Sequence, residues 1–133
     1  HGKAARKNRR RTARRRRREG QRRRHSHMIE VWHDIYGDRH YLRIRGHASE
    51  GDAAQGRRVC ASVSTLAELL ATELSADADA FASLESGDAL LSWAGHEAVW
   101  LAVEKTLERL SKDFSKNLSY TGAHRWAHDF KTG

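Results

Sequence analysis

Two stretches of this chain repeat apolar residues with the period of an α-helix, and each follows a pair of segments with partial strand-like alternation. Val59, Val63, Leu66, Leu70 and Leu74 fall at i, i+4, i+7, i+11 and i+15, one stripe of a helix expected from Arg57 to between Ser75 and Asp79. Alanines 61, 67 and 71 let that helix pack closely. Val99, Val103, Leu107, Leu110 and Phe114 form the second stripe, on a helix opened by His96-Glu97 and decorated elsewhere by Glu104, Lys105, Glu108, Arg109 and Lys112. Upstream of the first helix, Met28–Tyr36 and Tyr41–Gly46 are rich in β-branched and aromatic residues and flank Gly37-Asp38, which reads as a β-hairpin. Phe81–Glu85, a Ser86-Gly87-Asp88 turn and Ala89–Gly95 read as a second hairpin, and Asn117–Gly122 as a closing strand. The order β-β-α-β-β-α-β implies an α/β two-layer sandwich: a mixed or antiparallel sheet of about five strands with two helices packed on one face.

Charge divides the chain differently. Of 25 Lys and Arg and 17 Asp and Glu, residues 1–27 hold 14 and one, so the other 106 residues hold 11 and 16. The basic character belongs to the N-terminal segment, and the remainder, at −5, offers no basic binding surface. Residues 1–27 contain no large apolar side chain and are expected to be a disordered Arg-rich tail. Met28, the only methionine, stands where domain-like sequence begins. The tail therefore reads either as an RNA or ribosome tether, since Arg–phosphate contacts add salt-sensitive affinity, or as a leader foreign to the domain. The domain is expected over residues 28–122, with an irregular tail over 123–133. No apolar run approaches the ~20 residues of a membrane span, no secretory h-region is present, and a single cysteine allows no internal disulfide. The expectation is a cytoplasmic protein that needs no membrane.

The chemistry-bearing stretch is Gly46–Leu66. Cys60, the only cysteine, lies thirteen residues after His47, across a small polar loop containing Gly51 and Gly56. A lone cysteine in an Ala-rich helix is by default a small packed residue. Three features set this one apart: the first turn of the expected helix, where amides and dipole favour a thiolate; Arg57 and Arg58 just upstream; and a histidine at the end of the preceding strand. Cys60 is then a candidate nucleophile and His47 its base, with oxyanion donors expected from backbone N–H groups around Cys60 and Ala61. Ser64, four residues on, shares the helix face of Cys60, while Asp52 or Glu50 can orient the imidazole. His96-Glu97 begins like a zinc-protease helix, but Trp100 stands where the second histidine is required. His124 and His128 have the i, i+4 spacing of a helical metal pair but no third ligand, so neither metal nor cofactor is expected.

Gly46-His47-Ala48, a glycine-bearing loop and Val59-Cys60-Ala61-Ser62-Val63-Ser64-Thr65-Leu66 resemble the signature of the ribosomal-processing cysteine protease family, Prp: G-H-A, a short loop, then V-C-A-A-V-S-x-L. The resemblance runs from Met28 to about Tyr120. It implies a cytosolic homodimeric cysteine endopeptidase with Cys60 as nucleophile, His47 as general base and Ser64 as a supporting residue. The implied substrate is the N-terminal extension of large-subunit ribosomal protein twenty-seven, or a phage capsid protein precursor. The chain departs from the pattern at Arg57, where the family usually carries an acidic residue, and Asp52 is the first candidate to replace it. The competing expectation is a non-catalytic ribosome- or RNA-associated module tethered by the Arg-rich tail.

Overall fold

The computed structural model describes residues 27–49 and 51–126. Residues 1–26 of the expected 1–27 tail, Glu50 and the chain after Trp126 lie outside the described residues. Strands β1 (Ile29–Tyr36) and β2 (Arg39–Arg45) are followed by helix α1 (Ala53–Leu74). Strands β3 (Phe81–Glu85) and β4 (Asp88–Ala94), helix α2 (Glu97–Asp113) and strand β5 (Leu118–Trp126) complete the order. The five strands form one sheet in the order β3-β4-β2-β1-β5. All neighbours are antiparallel except β1 and β5, which run parallel across the β4–α2–β5 connection, with a register shift between Trp32 and Asp34. The sheet is mixed and both helices cover one face, as the alternation of periods implies.

Strict alternation selects that face. Ile29, Val31, His33 and Ile35 of β1, and His40, Leu42 and Ile44 of β2, are buried between less buried neighbours. Ile29, Val31, Leu42 and Ile44 share one cluster with Val59, Val63, Ala67, Leu70 and Leu74 of α1 and Trp100, Val103 and Leu107 of α2. Trp93 and Leu91 of β4 are fully buried between them.

Two boundaries differ from expectation. Helix α1 begins four residues before Arg57, because Asp52 caps it: the Asp52 carboxylate accepts the Ala54 N–H at 2.9 Å. Gly56, which reads as loop, lies inside the helix and is buried. A Cβ there would stand 2.3 Å from the Ala48 carbonyl oxygen, so glycine lets the helix seat directly on the backbone that follows β2. At the other end, β5 continues to Trp126, because beyond the register shift residues 124–126 pair alongside β1 as far as Tyr36. The first four residues of the expected irregular tail are therefore strand.

Candidate active site

His47 follows β2 by two residues, and its position is set by the β3–β4 turn. The Gly46 N–H donates to the Gly87 carbonyl at 3.0 Å, and a Cβ at Gly87 would lie 2.6 Å from His47 Nε2. Gly87 has a φ of +76°, so the same residue that makes the turn also leaves room for the imidazole. The loop continues through Ala48, whose N–H donates to Cys60 Sγ at 3.3 Å, and Ser49, whose N–H donates to the His27 carbonyl at 2.9 Å. The thiol is thus held by the amide next to His47.

A cavity of about 480 Å³ opens between α1 and the ends of β2, β3 and β4. His47, Cys60 and Ser64 all line it, so the fold brings three of the expected site residues to one space. His47 and Ser64 are exposed and Cys60 is half-buried. No hydrogen bond joins the His47 imidazole to the Cys60 thiol, whose sulfur is met by the Ala48 N–H.

Other expectations change. Cys60 is the eighth residue of α1, not part of its first turn, so the helix dipole, which acts within the first turn, does not account for its chemistry. The amides of Cys60 and Ala61 belong to the helix interior and are engaged with carbonyls one turn back, so they are not oxyanion donors. Asp52 is engaged as the helix cap and does not line the cavity. Arg57 and Arg58 are exposed and lie outside the cavity wall as well. Residue 124 belongs to β5, where i, i+4 spacing does not form one helical face, and His128 lies outside the described residues. No group of three His, Cys, Asp or Glu suited to a metal ion occurs among the described residues.

Sequence reasoning missed the opposite wall. Glu85, Ser86, Gly87 and Asp88 line the cavity from the β3–β4 turn, and Glu68 lines it from α1. Nothing local in Ser86-Gly87-Asp88 says that this turn faces His47; only the sheet order places it there.

A second polar constellation lies on the β1–β2 hairpin, toward the turn that joins its strands. His33 Nε2 and His40 Nδ1 are 2.8 Å apart, and His40 Nε2 is 2.9 Å from Glu97 Oε1. With Glu97 accepting from His40, His40 Nδ1 accepts from His33, which leaves His33 Nδ1 as an acceptor 3.7 Å from Glu104. The rings stack with Trp93 and tilt against Trp100. Burial, helped by the neighbouring His40, pushes the His33 pKa down to about 4. Tyr120 donates to Glu104 at 2.6 Å, and burial with that bond raises its pKa. Nearby, His96 bonds Asp77 at 2.8 Å and Glu73 at 3.3 Å; these bonds raise the His96 pKa, and the His96 bond lowers that of Asp77. His96 therefore ties α2 to the end of α1, and Trp100, where a zinc-protease helix would need its second histidine, is core.

No family model matches the chain, and no curated protein matches it. Among solved structures, it is similar to SMU.848 from Streptococcus mutans, with a TM-score of 0.57 and 19% identity over 74% of this chain and 96% of that one. That likeness concerns the fold. No helix among the described residues is long and apolar enough to cross a membrane.

Proposed function

We propose that this chain is a cysteine endopeptidase of the Prp kind, acting on an N-terminal extension of a ribosomal protein or on a phage capsid precursor. The observation that carries the reading is the meeting of His47 and Cys60 in one cavity, with Ala48, between them in the chain, donating its N–H to the sulfur. In this reading the imidazole of His47 takes the thiol proton as Sγ attacks the scissile carbonyl carbon. It then returns that proton to the leaving amine as the C–N bond breaks. Water, deprotonated by the same imidazole, hydrolyses the thioester and restores the thiol. Ser64, one turn beyond Cys60, offers a hydroxyl donor to the developing oxyanion. Asp52 is not needed in this scheme, and no metal or other cofactor takes part.

The test is to incubate the protein with peptides spanning candidate precursor N-termini and read product masses. One defined product, lost with Cys60→Ala and reduced by at least about 10²-fold with His47→Ala, is the expected result. Iodoacetamide labelling should be faster than for a free thiol near neutral pH. No product from any precursor, together with ordinary labelling, would favour the non-catalytic module tethered to RNA or the ribosome. The reading also carries a homodimer in the cytoplasm, which light scattering and fractionation address.

A further inference from the structure

The sheet order leaves β3 as an edge, and it is the edge beside the cavity. Pairing with β4 uses one side of β3. The alternate N–H and C=O groups pointing the other way have no backbone partner among the described residues. Natural edges are commonly blunted by Lys, Pro, a bulge or a covering element. Strand β3, Phe-Ala-Ser-Leu-Glu, contains neither Lys nor Pro and pairs with β4 without a register shift. At its C-terminal end Leu84 and Glu85 pass into the cavity wall. An extended chain laid on this edge leads to the space that His47 and Cys60 line.

The wall specifies the chemistry of such a chain. Glu68 lies two turns beyond Cys60 on α1, and Glu85 ends β3; both are exposed, line the cavity and make no ion pair among the described residues. Asp88, the third carboxylate, is already met by Arg43 at 3.4 Å and Arg45 at 3.6 Å. Two carboxylates without an ion pair among the described residues thus line the cavity into which the β3 edge leads.

We propose that β3 is a docking edge on which a cationic polypeptide adds as a sixth strand, setting a Lys or Arg side chain between Glu68 and Glu85. Main-chain bonds to β3 give affinity, and the two carboxylates give the charge preference. The docking stands on the edge and the carboxylates; only the delivery of the following peptide bond to Cys60 rests on the peptidase reading.

The test uses the full chain with Cys60→Ala and fluorescein-labelled peptides of alternating Thr and Arg, about eight residues long, beside the same peptides with Glu for Arg. Anisotropy should show saturable binding of the Arg peptide at least about tenfold tighter than the Glu peptide. The Arg-rich N-terminal segment attracts the Glu peptide, while the remaining chain, at −5, attracts the Arg peptide, so bulk charge alone does not decide the order. A Glu68→Lys, Glu85→Lys double variant, shown folded by circular dichroism, should reverse that order. An added strand bonds through alternate amides, so N-methylation of one alternate set should weaken binding at least about tenfold and of the other about twofold or less. Absence of saturable binding below about 1 mM, equal loss from both methylated sets, or indifference to the charge reversal overturns the proposal. Docking without cleavage by the Cys60 protein defeats the peptidase reading alone, and cleavage with no alternate-amide pattern defeats the docking edge alone.

Discussion

Two glycines hold the candidate pair in register, each against a different neighbour. At Gly56 the neighbour is the Ala48 carbonyl, which cannot swing aside as a side chain can. Gly56→Ala gains about 1 kcal/mol of helix propensity, while overpacking of this sort costs about 1–3 kcal/mol. The expected outcome is a net loss of about 1 kcal/mol in urea denaturation; a gain in stability would show that the loop yields freely. At Gly87 the neighbour is the imidazole itself. Gly87→Ala places a Cβ on His47 and holds an L-residue at positive φ, which costs about 1–2 kcal/mol. Cleavage should fall on the order of 10²-fold as the imidazole is displaced. Asn tolerates that φ better, so Gly87→Asn should regain stability but not activity; equal recovery of both would mean that the imidazole does not depend on this turn.

At the scale of elements, the start of α1 decides between two roles for Asp52. As the cap of Ala54, its replacement by Ala should cost about 1 kcal/mol in stability and leave cleavage unchanged under conditions where the protein stays folded. A loss of turnover in fully folded Asp52→Ala protein would instead make it a positioning residue for His47. The hairpins, both helical stripes and the layer order were legible because they depend on local period and turn chemistry. The start of α1 was not, since Gly56 reads as a helix breaker and becomes a helix residue only when the Ala48 backbone lies against it. His47 and Cys60 were legible as a motif, whereas Glu68, Glu85 and Gly87 reach the same cavity through sheet order. The expected activation of Cys60 by a helix start failed for the same reason as the boundary: seven helical residues precede it.

For the whole molecule, two histidines of opposite sense shape the dependence of stability on pH. Burial holds His33 neutral, so the unfolded chain binds more protons as pH falls from about 6.5 to about 4. Stability should drop across that window by on the order of 2–3 kcal/mol. His96 behaves in reverse: its pKa is raised by Asp77 and Glu73, so its contribution is fully present below about 6.5 and is lost as pH rises through its folded value. Urea midpoints measured across pH should therefore peak near neutrality, and His96→Gln should flatten only the alkaline limb; loss of the acid limb in that variant would contradict the assignment.

The seating of α1 on bare backbone gives the two sides of the cavity unequal room to change. One side is fixed by a main-chain contact at Gly56 that no exchange of side chains can renegotiate. The other is a turn whose Glu85 and Ser86 point to solvent at the rim. A lineage built on this scaffold can retune what it accepts at positions 85 and 86 while Gly56 and Ala48 stay constant. Diversity in preference should then accumulate in the turn, with the helix as its unchanging reference.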